Sequence, residues 1–541
     1  MQPLIRGRVA PGSQASGWAR GRASSQQAAA TSFQQTADPR FAQLTSAKSA
    51  AAPAPRAQSA AGAPSAYRNV DGMRVDDGRY TAFKADVRQL LGEERVVDDP
   101  VRTFAFGTDA SFYRLNPQAV VRVFTEDEVV QTLAKAREHE TPVTFRAAGT
   151  SLSGQAITDS VLMKLSHNGK AWRRYQIEDE GKTITLEPGL IGGEVNRLLA
   201  AYKKKHKLST QYKIGPDPAS IESCMIGGIV ANNSSGMCCG VKQNTYHTLR
   251  DMRVVLVDGT VLDTADAASR EAFAASHASL LAGITDIASR VQSDAPLMSL
   301  IRKKYGIKNT TGYSINALAD FSPSEPIEIL KRIMIGSEGT LGFVSRVTYN
   351  TVVEHPHKAS AFLIFPDITD ACNATSVLRS KTAVDAVEIF DRRSLKLCQE
   401  MGRMAELCPE IANLPASGEG AALLIECRGA DRGALDASIA EVCAALQTSS
   451  VPVNNASGYT AESFLSDPAE YNVFWDARKG LIPIVGGARE GGSSMLLEVC
   501  FRKKKQSFFL EKKKANRRSW AHTCPFSPIW HTSPFLPDIG V

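Results

Sequence analysis

The sequence predicts an α+β fold, and three observations carry the prediction. Residues 119–154 read strand, helix, strand and then a glycine-containing loop. The β-branched stretch 252–263 reads as a strand with an Asp258-Gly259 turn signal. From residue 354 onward, short apolar runs again alternate with helical spacing.

Taken in order, AVVRVFT (119–125) is rich in β-branched residues, which suit a pleated, buried surface. EDEVVQTLAKAREHE (126–140) has helical spacing, with acids in the first turn where the helix dipole favours them. TPVTFRA (141–147), VLMKL (161–165) and TITLEPGL (183–190) read as strands. GGEVNRLLAAYKKKH (192–206) reads as a helix with a basic C-terminal end. A loop-rich segment, 214–248, leads to MRVVLVDGTVLD (252–263). SAFLIFP (360–366), AVDAVEIF (383–390) and AALLIECRG (421–429) supply strands of the second half. No internal repeat of fixed period is present.

The 541 residues leave room for roughly three to four domains. Apolar residues make up 43% and charged residues 22%, values of a soluble globular chain, and no apolar run reaches the ~18 residues of a membrane-spanning helix. The formal charge of +7 is unevenly placed. Residues 1–66 carry +6 and residues 502–518 carry +8, which leaves −7 for the rest. A mildly acidic body argues against a nucleic-acid partner, which needs a basic face. The ten cysteines show no CxxC spacing, and adjacent Cys238 and Cys239 cannot easily clamp a metal together, so they read as free thiols of a reducing compartment. Residues 1–66 are rich in Ala, Ser, Gln and Arg, the composition of an organelle transit peptide; an ordinary disordered tail is the alternative.

The most informative stretch is TFRAAGTSLSGQA (144–156). A phosphate needs several backbone N–H groups aimed at one point, and small residues and glycine let the chain supply them. Alone, the stretch fits an ordinary turn equally well. The spacing of Gly149 and Gly154 is not GxGxxG, and GxxxxGK[ST] is absent, which disfavours NAD-type and ATP-type phosphate loops. Two further glycine-rich segments follow, within 215–252 (GPDPASIESCMIGGIVANNSSGMCCG…) and at 336–348 (GSEGTLGFVSRVT). Three such segments suggest an extended ligand held along much of its length.

In that order the three segments resemble the signature of the FAD-binding oxidoreductases of the vanillyl-alcohol oxidase type, with a PCMH-type FAD-binding domain. KNTTGYSINAL (308–318) and FWDARKGLIPIVGGAR (474–489) resemble the branch that oxidises D-2-hydroxy acids, and within it the long D-lactate dehydrogenases that couple FAD to an iron–sulfur domain. The resemblance spans about residues 100–500. It implies a PCMH-type FAD-binding domain of two α/β subdomains at 115–353 and a ferredoxin-like cap at 354–500. A helical lead-in at 67–114 would precede them, and a basic tail at 501–541 would follow.

The resemblance also implies roles. The backbone N–H groups of Arg146, Ala147, Ala148, Gly149, Thr150, Ser151, Leu152, Ser153 and Gly154 would line the pyrophosphate of FAD. Pro218, Ser220, Gly227, Gly228, Asn233 and Gly236 would continue the contact, and Glu338, Gly339 and Val344 would meet the nucleotide end. The 146–154 loop contains no histidine, so no covalent histidyl link is expected from it. Arg478 matches the cap arginine that holds the substrate carboxylate, with Arg489 the weaker candidate; a planar guanidinium suits that task. Asp217 and Glu222 could form an acid–base pair, but turn chemistry is the preferred reading. His355 and His357 read as a linker between the two domains rather than metal ligands.

The implied reaction is oxidation of a D-2-hydroxy acid, first D-lactate to pyruvate, with hydride passed to flavin N5. Electrons would go on to a carrier such as cytochrome c or quinone, in the mitochondrion with the plastid left open. D-2-hydroxyglutarate is the alternative substrate, and a non-catalytic flavin-binding remnant the alternative class. After SSMLLEV (493–499) the family pattern should continue into histidine-rich metal and catalytic motifs and then a cysteine-rich domain. The remaining residues are basic and proline-rich instead, as a frame-shifted or intron-derived tail would be, with an anchoring tail as the alternative. His522, Cys524 and His531 fit no zinc spacing. The expectation is FAD binding with weak or absent turnover, and a half-cap with an exposed sheet edge and apolar face.

Overall fold

The computed structural model describes residues 78–487, apart from residues 112, 167–169, 237, 311 and 415–418. The transit-peptide reading, Arg489 and the tail readings lie outside the described residues.

The first sheet has the order β1-β2-β4-β3. Strands β2 (Ala119–Val123), β4 (Val161–Leu165) and β3 (Val143–Arg146) are parallel, and β1 (Val96–Val97) joins β2 antiparallel. Helices α1 (Arg79–Leu91) and α2 (Pro100–Phe106) precede β2. Helix α3 (Glu126–Glu138) connects β2 to β3; Thr125 caps it by accepting from the Glu128 N–H, and Val129, Leu133 and Ala136 form its buried stripe. The helical lead-in also supplies a sheet edge, β1, a two-residue strand too short to register as a periodic signal.

The second sheet is antiparallel, with order β5-β6-β10-β8-β9: β5 (Tyr175–Glu178), β6 (Thr183–Leu186), β8 (Leu249–Val255), β9 (Val261–Asp263) and β10 (Phe343–Asn350). Central β10 alternates strictly, burying Phe343, Ser345, Val347 and Tyr349. Helix α4 (Gly192–His206) packs Val195 and Leu199 into the core, as α5 (Ile226–Asn232) does with Ile229 and Val230. The segment read as loop therefore hides a helix, α5; seven residues with two glycines give neither propensity nor a full period. Short α6 (Thr245–Thr248) leads into β8. After β9 comes an excursion with no counterpart in the sequence reading: α7 (Ala267–Ser276), α8 (Ala278–Ser293), α9 (Ala295–Tyr305), α10 (Ala317–Asp320) and α11 (Pro326–Ile333).

Two contacts set the sheets against each other. Glu126, at the start of α3, takes a forked hydrogen bond from Arg253 of β8 at 2.9 and 2.8 Å. Phe343, at the start of β10, lies 5.3 Å in centroid distance from both Phe145 of β3 and Trp172.

A two-stranded ribbon, β7 (Tyr212–Lys213) with β11 (Val352–Val353), ends this region. The third sheet follows as β13-β14-β12-β15, all antiparallel: β12 (His357–Phe365), β13 (Ala386–Phe390), β14 (Ala421–Gly429) and β15 (Phe464–Leu465). One face carries Leu363, Leu423 and Ile425 beneath α12 (Ile368–Lys381) and α16 (Arg432–Thr448). The other carries Phe362, Ile364 and Leu424. It is covered by α13 (Arg392–Gln399), α14 (Gly402–Leu407), α15 (Pro409–Ala412) and α17 (Pro468–Gly487). Aspartates 367, 391 and 431 cap α12, α13 and α16.

The expected bare apolar face is thus corrected. Leu424 and Ile364 are fully buried, and covering each is worth about 1.5–3 kcal/mol. The helices inserted between β13 and β14, with α17, do the covering.

Candidate functional site

The three glycine-rich segments converge, and Glu338 is where they meet. Its backbone N–H donates to Ala231 O at 2.8 Å, and Gly336 N donates to Val230 O at 3.2 Å, so the third segment docks on the end of α5. Its carboxylate oxygen Oε1 accepts from Asn232 Nδ2 at 2.7 Å and from Gln155 Nε2, near the end of the first segment, at 3.5 Å. Burial pushes the Glu338 carboxyl above its ordinary value, partly offset by the Asn232 bond. Glu338 and Asn233 both hold left-handed backbone, at φ 53°.

The first segment is a half-buried loop after β3. Gly149 and Gly154 have φ of +77° and +81°, which L side chains rarely adopt. Among the described residues, no acceptor takes a hydrogen bond from the backbone N–H of Gly149 or Thr150. Two adjacent N–H groups without a protein acceptor fit an anionic ligand, whereas the Ser153 N–H already donates to Ser151 Oγ at 3.3 Å.

Arg146 has another task. Its Nη1 donates to Phe106 O at 3.0 Å and Thr108 O at 2.8 Å, stapling the loop to the chain before β2. Its Nε is buried with no hydrogen-bond partner among the described residues. Burial lowers its pKa below the ordinary value. A Cβ on Gly149 would stand 2.5 Å from this guanidinium. Arg146 thus shapes the loop with its side chain, which the reading of the segment as a backbone cradle did not anticipate.

Gly227 and Gly228 divide their work. Gly227 presses on Pro188, where a Cβ would come within 2.9 Å, and donates to Pro188 O at 2.9 Å. A Cβ on Gly228 would meet nothing within 4 Å, so that glycine borders open space. Pro218 and Ser220 accept through their carbonyls in consecutive turns, to Ile221 N and to Cys224 N. Gly236 lies directly against Asp217. Gly339 (φ +74°) packs on Phe145 and, with it, lines a cavity of about 350 Å³ bounded by Leu133, Ala136, Val143 and Val257. Val344 follows on β10.

The other singled-out residues separate from this cradle. Asp217 accepts from Cys239 N at 3.0 Å and Cys238 N at 3.3 Å, whereas exposed Glu222 pairs with Arg197. The two carboxylates act apart, and the turn reading describes Asp217. His357 is exposed and opens β12, and His355 is half-buried just before it. Neither belongs to the one cluster of candidate metal ligands among the described residues, Asp86, Glu138 and His139, where Lys135 already pairs with both acids. Arg478 stands on α17, and its Nε donates to Glu388 Oε2 of β13 at 2.7 Å, with side chains 13% and 20% exposed. Sequence reasoning missed Gln155 and Asn232; Asn232 adjoins Asn233 in ANNSSG, and the doubled asparagine was the available signal.

Left-handed glycines, unpaired N–H donors and a half-buried carboxylate joining three distant segments fit a nucleotide-cofactor protein of two α/β subdomains. Comparison with known families narrows this. Residues 117–265 match the FAD binding domain, and residues 354–523 match the C-terminal domain of FAD linked oxidases. The chain belongs to the FAD-linked oxidases, and FAD is its cofactor.

Among its relatives, a D-2-hydroxyglutarate dehydrogenase of Pantoea ananatis is 23% identical over 71% of this chain and 37% of its own length. The mitochondrial D-lactate dehydrogenase [cytochrome] 1 of Saccharomyces cerevisiae is 24% identical over 73% and 55%. The glycolate oxidase subunit GlcD of Bacillus subtilis is 24% identical over 63% and 58%. The chain thus spans between about a third and three fifths of these relatives. A solved alkyldihydroxyacetonephosphate synthase shares the fold, with a TM-score of 0.50 and 15% identity over 77% of this chain and 67% of its own. No helix among the described residues is long and apolar enough to cross a membrane.

Proposed function

We propose that the chain binds FAD and oxidises a D-2-hydroxy acid at its hydroxyl carbon with weak turnover, with D-lactate as the first candidate substrate and D-2-hydroxyglutarate the second. The observation that carries the reading is the meeting of three segments at Glu338, which makes one extended FAD cradle. The names of the relatives, dehydrogenases and an oxidase of 2-hydroxy acids, supply the substrate class.

Bound FAD supplies the two-electron acceptor. The chain does the rest. The N–H groups of Gly149 and Thr150 hold the pyrophosphate, Gly228 leaves room for the cofactor beside α5, and the cavity beside Gly339 takes the nucleotide end. Arg478 binds the substrate carboxylate: a guanidinium has five N–H donors in a fixed fork and can serve Glu388 and a carboxylate together. The electrons pass on to a carrier such as cytochrome c or a quinone, and the mitochondrion is the proposed compartment.

Anaerobic mixing of the FAD-loaded full chain with D-lactate, D-2-hydroxyglutarate and glycolate tests the reading. Bleaching of the flavin absorbance by one of the D-2-hydroxy acids supports it. Flavin that none of them bleaches overturns it in favour of a non-catalytic flavin protein.

A further inference from the structure

The second segment does not end at the cradle. Past Asn233 and Gly236 it reaches Cys238, whose loop is pinned by the two N–H bonds to Asp217. Cys238 packs against the apolar cluster on the α17 side of the third sheet, and its thiol donates to Glu426 Oε1 at 3.7 Å. A cradle segment and the middle strand of the cap, 188 residues apart, touch here.

Glu426 is 4% exposed. A buried carboxylate is costly unless paired, and here Arg428 Nε donates to the same Oε1 at 2.6 Å. Ser360, opposite Glu426 in the β12–β14 register, lies 3.5 Å from Oε2. The Ser360 hydroxyl oxygen in turn accepts from Trp475 Nε1 at 3.0 Å. Trp475 is buried on α17, three residues before Arg478. A continuous polar path therefore runs from the cradle loop through Cys238, Glu426, Ser360 and Trp475 to the helix that carries Arg478.

We propose that Cys238 and Glu426 form a latch that registers the cap, and with it Arg478, over the FAD cradle, which makes both of them positioning residues. The consequence for catalysis rests on the 2-hydroxy-acid reading; the latch itself does not. The thiol is a weak donor, and its bond to the buried carboxylate adds direction to the apolar packing of Cys238 across the two domains.

The test uses the FAD-loaded full chain and the pair Cys238→Ala and Cys238→Ser, with Glu426→Ala as a third variant. Serine keeps a hydroxyl donor for Glu426 and alanine removes it. The readouts are FAD content, the visible circular dichroism of the bound flavin, and KM and kcat with the 2-hydroxy acid that bleaches the flavin. Cys238→Ala is expected to keep its FAD, to alter the flavin dichroism and to raise KM about ten-fold, with kcat changed less than about three-fold. Cys238→Ser is expected to return both readouts to within about two-fold of wild type. Glu426→Ala should reproduce Cys238→Ala; if it does not fold, the cysteine pair decides alone. The latch is overturned if Cys238→Ala matches wild type, or if the serine and alanine variants shift alike. If the wild-type chain oxidises no 2-hydroxy acid, the functional reading fails, while the dichroism comparison still decides the latch.

Discussion

Asn232 Nδ2 donates a hydrogen bond to Glu338 Oε1 at 2.7 Å, joining two glycine-rich segments 106 residues apart in sequence. Through the same oxygen Glu338 also reaches Gln155 of the first segment. Removing this carboxylate should loosen all three segments together. Glu338→Ala is expected to weaken FAD binding by about 1 kcal/mol, the net worth of a half-buried hydrogen bond to a charged group, and Glu338→Gln, which keeps an oxygen acceptor, by less. A fluorescence titration with FAD measures both; equal losses would show that the acceptor is not what matters.

Gly149 and Gly228 should separate folding from binding. At Gly149 an added Cβ meets both a left-handed backbone and the Arg146 guanidinium, so Gly149→Ala should lower stability by roughly 1–3 kcal/mol and FAD affinity with it. At Gly228 a Cβ meets no protein atom, and alanine is the better helix former, so Gly228→Ala should melt at or slightly above the wild-type temperature without FAD. Its FAD affinity should nevertheless fall. Thermal melts with and without FAD report both effects, and unchanged FAD affinity in Gly228→Ala would place the cofactor elsewhere.

Arg478 and Glu388 should split in kinetics while agreeing in stability. Breaking their largely buried pair from either side should cost on the order of 2 kcal/mol. Arg478→Ala should also raise KM for the 2-hydroxy acid more than ten-fold, whereas Glu388→Gln should leave KM unchanged or lower it, because the guanidinium loses a competing carboxylate. A rise in KM for both variants would assign the pair a structural role only.

Acid should unpin the joint between the cradle and the cap. Burial opposes ionisation of Glu354, yet Lys213, 3.0 Å away, and Lys358 overcome it and hold its pKa at about 2. A depressed carboxylate stabilises the fold above its unfolded value near 4.3 and loses that contribution as pH falls toward 2. Glu354→Gln should therefore cost on the order of 2 kcal/mol at pH 7 and about half of that at pH 3. Denaturant unfolding of both chains at the two pH values gives the difference directly; a pH-independent gap would contradict the ion-pair account.

The strands and long helices could be read in advance because their signals are local. AALLIECRG and GGEVNRLLAAYKKKH occupy the positions expected of them, as β14 and α4. What escaped was set by distant parts of the chain. Residues 226–232 become a helix because Ile229 and Val230 find the second sheet, and Arg146 becomes a staple because the carbonyls of Phe106 and Thr108 arrive beside it. The cradle was foreseen as three separate segments from their glycines. Its closure by Asn232 and Gln155 on Glu338, and its link to the cap through Cys238, depend on contacts that no spacing encodes.

The central claim is that these three segments form one FAD site. Titration of the purified full chain with FAD, followed by flavin absorbance and by the flavin retained after dialysis, tests it most directly. The account predicts that wild type retains about one FAD per chain and that Gly228→Ala, equally folded by far-UV circular dichroism, retains much less. A folded wild-type chain that retains no FAD, or a Gly228→Ala chain that retains as much as wild type, would contradict it.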